Sequence, residues 1–399
     1  MTMNTTPNAD RLHIGIFGCR NSGKSALINA LTSQDLAIVS SFPGTTADPV
    51  SKAMEILPIG PVVITDTAGY DDVGELGSLR TKKTYQSLEK THLAILATDA
   101  AEGFKPEDRE FILRLKEQKM PLIGVINKTD LNPSPDTSLF KEQGIDFVLT
   151  SAVNKTGIDE LKRLIIKHSK SVKEEKSIVE GLVSGGDTAV LVTPIDSSAP
   201  KGRLILPQQQ TIRAILDKDA IVLTVKETEL EAALKALKEP PAVVITDSPS
   251  CKIVSSITPE RIPVNSFAML FARYKGELEP FLRGLEALKT LEPEDTVLIS
   301  EGCTHHRQCN DIGTVKIPKL LNKALGFTPK LAFTSGGEFP DDLSEYALVI
   351  HCGGCMLNSA EVKSRIKRAE NSSCPITNYG MFIAHCTGIL ERALKPLLG

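Results

Sequence analysis

The sequence predicts an α/β protein of three units: a domain with a mainly parallel sheet, a small α/β domain, and a second α/β domain. Three observations predict it: short β-branched runs alternate with amphipathic stretches, the chain is 399 residues long, and 41% of it is hydrophobic. Such alternation implies parallel strands covered by helices on both faces, and the length holds about two or three domains.

The elements follow in order. Leu12 to Gly18, Pro61 to Asp66, His92 to Thr98, Pro121 to Asn127 and Asp146 to Thr150 read as buried strands of the first unit. The charged stretch from Lys167 to Lys176, then Gly185-Gly186, reads as a helix end and a linker. In the second unit, strands are expected at Ala189 to Thr193, Ala220 to Val225 and Ala242 to Thr246, with helices at Gln208 to Leu216 and Glu227 to Leu237. The third unit begins near Lys275. It reads as helix Glu277 to Lys289, strand Thr296 to Ser300, helix Pro318 to Leu325, strand Ala347 to His351, and helices starting near Ala360 and Tyr379. No internal repeat or low-complexity tract is evident.

Composition narrows the function classes. A formal net charge of -3 offers no general attraction for a polyanion, so nucleic acid is not implied as a partner. Met1 to Leu12 is polar and lacks an export pattern, and no run approaches the roughly 18 apolar residues of a membrane span, so a cytoplasmic protein without membrane contact is expected. In a reducing compartment, eight cysteines point to thiolate chemistry or inert burial rather than disulfides.

Gly18-Cys19-Arg20-Asn21-Ser22-Gly23-Lys24-Ser25 fits a phosphate-binding loop between a strand and a helix that continues through Ala26. Glycines let backbone N–H groups curl around phosphate, Lys24 neutralises the terminal phosphates, and Ser25 offers a hydroxyl to Mg²⁺. Asp66-Thr67-Ala68-Gly69 ends a strand, where Asp66 can hold the metal through water and the Gly69 N–H can sense the terminal phosphate. Pro43-Gly44-Thr45-Thr46 lies between them as a first switch loop, and Thr45 or Thr46 should complete the Mg²⁺ shell. Asn127-Lys128-Thr129-Asp130 selects the base, since the Asp130 carboxylate accepts from the ring N–H and amine of guanine. Ser151-Ala152-Val153 can present backbone N–H to the guanine carbonyl. The expected ligand is GTP.

These motifs resemble the translation-factor-like group of P-loop GTPases, which includes ribosome-associated and tRNA-modifying members. Tyr70 stands after Gly69, where Ras-type enzymes carry a water-orienting glutamine, so slow hydrolysis is expected. In potassium-activated members an asparagine placed as Asn21 helps ligate K⁺, and the resemblance implies the same here. The alternative for Asn21 is a solvent-facing loop residue. Asp71, Asp72 and Glu75 could position water.

Downstream, Cys303-Thr304-His305 and His351-Cys352-Gly353-Gly354-Cys355 form a second constellation. Cys352 and Cys355 can reach one centre from a single turn, and Cys303 follows a predicted strand, so all three thiolates converge where open α/β sheets place ligands. A zinc site would close with His305 or His351, whereas an iron-sulfur cluster could use the cysteines and leave one iron exchangeable. The residues alone favour zinc. Cys19, Cys251 in an expected loop, Cys374 and Cys386 read as inert; Cys309 lies close enough to Cys303 to merit a test.

The pattern CxH then HCxxC behind a GTPase domain resembles the HydF family, GTPase scaffolds of FeFe-hydrogenase maturation. Asp311-Ile312-Gly313, Lys316-Ile317-Pro318, Pro375-Ile376-Thr377-Asn378-Tyr379-Gly380 and Ala199-Pro200-Lys201-Gly202-Arg203 look familial as well. The resemblance implies a 4Fe-4S cluster on Cys303, Cys352 and Cys355 with a replaceable fourth site, for which His305, His351, Glu301 and Asp311 are candidates. It also implies a two-iron precursor carried to apo FeFe-hydrogenase with help from two radical-SAM enzymes, and self-association as a homodimer or higher. Arg307, Lys316 and Lys319 could balance charge on an anionic cargo. The expected domains are a GTPase domain at 8–172, a dimerisation domain at 180–265 and a cluster-binding domain at 270–399. Competing readings are a ribosome- or tRNA-directed GTPase with a structural zinc tail, and a redox enzyme using the cluster for electron transfer.

Overall fold

A computed structural model describes residues 6–32, 50–70, 83–172, 176–195, 202, 204–303 and 311–398. They fall into two compact units, Met1–Glu175 and Lys176–Gly399.

The amino-terminal unit is a six-stranded sheet of order β2-β3-β1-β4-β5-β6. Its strands are β1 (Leu12–Phe17), β2 (Val50–Ile56), β3 (Gly60–Asp66), β4 (Leu93–Asp99), β5 (Leu122–Asn127) and β6 (Phe147–Leu149). Every pairing is parallel except β2 with β3. Helices Lys24–Thr32 and Ile158–Val172 cover one face through Leu27, Ile28, Leu31, Leu161 and Ile165. Helices Pro106–Glu117 and Ser138–Glu142 cover the other through Phe111, Ile112, Leu115 and Phe140. With both faces covered, β4 and β5 are buried at every residue, which is why they read as continuous apolar runs. The sequence reading missed β2, whose exposed Val50 and Ser51 give it neither alternation nor a buried run.

Two further sheets make up the carboxy-terminal unit, each all-parallel: β10-β9-β7-β8 and β12-β11-β13-β14. The first comprises β7 (Thr188–Val192), β8 (Ile221–Val225), β9 (Val243–Thr246) and β10 (Val264–Ser266); the second β11 (Thr296–Ser300), β12 (Lys330–Thr334), β13 (Leu348–His351) and β14 (Ile376–Asn378). Counted in their own chain order, both sheets run 2-1-3-4. The correspondence extends to detail. The first crossover helices, Leu206–Leu216 and Ile317–Leu325, each begin with an apolar residue and proline. Each fourth strand follows a proline, Pro263 or Pro375, and ends in a residue that caps the next helix. Ser266 accepts from the Met269 N–H, and Asn378 from the Met381 N–H. The structure thus corrects the reading that no repeat exists: Pro-Val-Asn-Ser-Phe at 263–267 and Pro-Ile-Thr-Asn-Tyr at 375–379 mark equivalent places.

Cys251, expected in a loop, instead opens helix Cys251–Ile257 and is buried. The carboxyl edge of β7 and β8 borders a cavity of about 410 Å³, lined in part by Thr193, Leu204, Gln208 and Thr224. Among the described residues no helix is long and apolar enough to cross a membrane.

Candidate functional site

In the amino-terminal unit the motifs sit at strand carboxyl ends, where parallel sheets expose backbone and helix N-termini to ligands. The loop after β1 folds with Gly18 at φ +150°, Asn21 at φ +64° and Gly23 at φ +84°. A methyl on Gly18 would meet the Ala97 carbonyl oxygen at 2.2 Å, and one on Gly23 would meet Asn127 Nδ2 at 2.3 Å, so only glycine fits either place. Asn21 is exposed, and asparagine tolerates its left-handed conformation.

Lys24 is buried, its Nζ donating to the Gly18 and Cys19 carbonyls at 2.9 Å each. Ser25 Oγ donates to Asp66 Oδ2 at 2.5 Å, so the two oxygens expected to serve Mg²⁺ already adjoin. This pairing fits the metal. The buried Ser22 hydroxyl has no hydrogen-bond partner among the described residues. The Tyr70 ring stacks on Phe111 with centroids 4.8 Å apart, and its hydroxyl donates to Asp108. Asp108 also accepts from Cys19 Sγ at 3.6 Å, linking the phosphate loop to the residue after Gly69. Burial, then the Asp108 carboxylate, hold the Tyr70 phenol well above its usual pKa.

Around the base, Asn127 is buried and bridges three segments. Its Nδ2 donates to the Ser22 carbonyl at 3.2 Å, while its Oδ1 accepts from Thr150 Oγ1 and the Ala152 N–H at 3.1 Å each. Ser151 Oγ donates to Asp130 Oδ1 at 2.6 Å and so orients that carboxylate. Two of the expected donors to guanine are engaged internally, since the Ser151 N–H donates to the Thr156 carbonyl. Val153 is exposed. Sequence reasoning missed Asp99, whose Oδ2 accepts from Lys128 Nζ at 2.7 Å. Burial pulls the Asp99 carboxyl up, but Lys128 and the Ala101 N–H outweigh it and leave it below the ordinary carboxylate value. Thr45, Thr46, Asp71, Asp72 and Glu75 lie outside the described residues.

The thiols meet at the carboxyl edge of β11 and β13. Register pairs Ser300 with His351, so Cys352 directly follows β13 and Cys303 lies three residues past β11, both beyond the same sheet edge. Cys352 and Cys355 both act electrostatically on Cys303. Burial first, then those two sulfurs, push the Cys303 thiol up to about 12. Cys352 is raised to about 11 by burial, against two amides that donate to its sulfur: Gly302 N–H at 3.0 Å and Gly354 N–H at 3.4 Å. Among the described residues no three His, Cys, Asp or Glu side chains form a group able to hold one metal ion.

His351 has both ring nitrogens engaged. Arg365 Nη1, always a donor, lies 3.1 Å from Nε2, so Nδ1 carries the proton and donates to the Cys352 carbonyl at 2.7 Å. Its pKa falls to about 3 through burial and the Arg365 charge, leaving a neutral ring that orients the loop. Glu301 and Asp311 are buried near Cys303. His305, Arg307, Cys309 and residues 199–201 and 203 lie outside the described residues.

One determinant gave no sequence signal. Lys275, at the end of helix Phe267–Lys275 and 2% exposed, directs its ammonium to three loop carbonyls: Gly354 at 3.0 Å, Cys355 at 2.9 Å and Leu357 at 2.7 Å. It was legible only as a boundary residue. Its role appears once that helix lies against the CxxC loop.

Comparison with known proteins separates the two halves. Residues 13–128 match a family model described as a 50S ribosome-binding GTPase. The tRNA modification GTPase MnmE of Symbiobacterium thermophilum is 40% identical over 153 residues, covering 37% of this chain and 32% of MnmE. That of a Synechocystis species is 31% identical over 249 residues, or 61% of this chain and 50% of MnmE. The chain thus spans a third to a half of the curated relatives it matches. The G domain of the Thermotoga maritima FeoB iron transporter is 25% identical, with TM-score 0.31, over 40% of this chain and 99% of that one.

The GTPase match carries GTP and Mg²⁺ binding and GTP hydrolysis with it. Residues 178–276 match the hydrogen maturase F dimerization domain and residues 279–396 its tetramerization domain, so the carboxy-terminal unit is one of self-association. These two matches together cover more than half of the sequence, and they abut on the boundary between the two sheets. A GTPase domain followed by both maturase domains leaves one assignment: the chain belongs to the HydF family, GTPases of hydrogenase maturation.

Proposed function

We propose that this GTPase is a scaffold that holds a 4Fe-4S cluster on Cys303, Cys352 and Cys355 within residues 270–399. One position stays exchangeable, and from there the protein delivers a two-iron precursor to apo FeFe-hydrogenase after two radical-SAM enzymes have acted. The observation that carries it is the thiol edge itself: three half-buried cysteines, the sulfur of one accepting two backbone amides. Amide donors of this kind stabilise thiolates that bind iron. A zinc ion would need all its ligands within about 2.3 Å of one point. A cluster distributes its thiolates over separate irons and suits a looser trio. When bound, it would supply an iron able to exchange its non-protein ligand.

In this reading His351 orients rather than ligates, which leaves His305, Glu301 and Asp311 as candidates for the fourth position. Residues 180–265 serve dimerisation. In the amino-terminal domain, at 8–172, Gly18, Asn21, Ser22, Gly23, Lys24, Ser25 and Ala26 hold the phosphates. Asn127, Lys128, Asp130, Ser151, Ala152 and Val153 hold the base, with the Ala152 N–H exchanging Asn127 for guanine. Ser25, Asp66 and Thr45 or Thr46 complete the Mg²⁺ site, and Gly69 senses the third phosphate. Catalysis rests on Lys24, on Thr46, and on K⁺ ligated with help from Asn21, and it is slow because Tyr70 stands where a water-orienting glutamine would. Hydrolysis should therefore run several-fold faster in potassium than in sodium.

Anaerobic purification followed by iron, sulfide and zinc analysis tests the central claim. About four iron and four sulfide per chain are expected. One zinc per chain without iron refutes it and returns the tRNA-directed reading, which the amino-terminal match alone would suggest.

A further inference from the structure

The edge that bears the thiols also bears a group with no role so far. Register aligns Ser300, His351 and Asn378 across β11, β13 and β14, so the following residues, Glu301, Cys352 and Tyr379, form the next row. Tyr379 is 6% exposed, and its phenol oxygen has no hydrogen-bond partner among the described residues. The titratable groups that act on it are Cys352, Glu301, Asp311 and Cys303. A methyl on Gly313 would fall 2.4 Å from that oxygen and 2.5 Å from Glu301 Oε1, so phenol and carboxylate border one small space.

A buried hydroxyl without a partner destabilises a fold. Packing does not require it, because the equivalent position of the first repeat is Phe267, also buried, after the same capped turn. The hydroxyl is added only in the copy that carries the thiols.

We propose that Tyr379 is the hydrogen-bond donor that the thiol site offers to a small anion bound there. The inference rests on the cluster reading above. The anion would take the exchangeable position, and the phenol would hold its outer atom.

The test uses full-length protein, reconstituted anaerobically, with potassium cyanide as probe and electron paramagnetic resonance of the reduced cluster as readout. Tyr379→Phe should keep wild-type iron and sulfide and melt no lower than wild type. It should bind cyanide about tenfold or more weakly, the loss expected when a donor to a charged acceptor is removed. Equal cyanide affinity overturns the proposal. Should Tyr379→Phe fail to load iron, Gly313→Ala replaces it: the added methyl displaces the phenol, and the same weakening is expected, with wild-type affinity again overturning the idea. Wild-type protein that holds no iron or sulfide defeats the cluster reading first, and this inference with it.

Discussion

Replacing Lys275 with methionine asks how the CxxC loop is held. Methionine keeps most of the length and apolar stem of lysine but removes the charge and all three donors. The Leu357 carbonyl, in a buried residue, loses its partner, whereas the Gly354 carbonyl keeps the Leu357 N–H at 3.0 Å, and Cys355 is partly exposed so that water can replace the ammonium there. One stranded carbonyl gives a loss of about 1–3 kcal/mol. Removing the desolvation cost of the ammonium pulls the result toward the lower half of that range. For a unit of this size each kcal/mol shifts the melting midpoint by about 2–4 °C, so a fall of roughly 2–8 °C is expected. Calorimetry of the metal-free protein reads the stability, and iron analysis after reconstitution reads the loop. A variant that melts within about 1 °C of wild type and retains iron equally would refute the assignment of this lysine as the loop's anchor.

Three further outcomes follow. Lys24→Ala should abolish GTP hydrolysis with iron content intact, and Cys352→Ser should lower iron with hydrolysis intact; loss of both properties in either variant would count against separable sites. Gly23→Ala should weaken GTP binding at least tenfold in a fluorescent-nucleotide titration, because its methyl would lie 2.3 Å from Asn127 Nδ2 at a backbone angle of φ +84°; unchanged affinity would sink that geometry. Asp99 carries the pH prediction. Its folded carboxyl lies below the unfolded value of about 3.9, so its ion pair with Lys128 stabilises above that pH and is lost as pH falls through the depressed value. The stability gap between wild type and Asp99→Asn, measured by urea denaturation, should therefore narrow below about pH 4, and a gap of constant size would contradict the pairing.

Sequence patterns disclosed the elements that are long, apolar and buried on both faces. β4, β5 and β11 lie within a residue of the apolar runs that announced them. The short strands were hidden for a physical reason. β10 and β14 have three residues each, and their polar members, Asn265-Ser266 and Thr377-Asn378, begin the capped turns that follow, so no period of two develops. β12 is half exposed along its length and received no assignment from the sequence. The phosphate loop and base motif were legible because their chemistry is local, and the three cysteines because thiols are rare. Lys275, Arg365 and Asp99 were not, since each acts on a segment distant in sequence and a single charged residue has no pattern of its own. Tyr379 was quoted within a familiar string, yet only the comparison with Phe267 shows what its oxygen adds.

Arg392, in helix Leu390–Leu398, donates to the carbonyls of Ser255 at 2.7 Å, Thr258 at 2.8 Å, Pro259 at 2.7 Å and Ile262 at 3.1 Å, and Asn265 Nδ2 reaches the Ala393 carbonyl at 2.8 Å. During translation this leaves the earlier sheet unfinished: its latch emerges from the ribosome more than a hundred codons later. A nascent chain paused in between would expose unpaired carbonyls and apolar surface, so synthesis speed through this stretch and chaperone supply set the yield of intact protein.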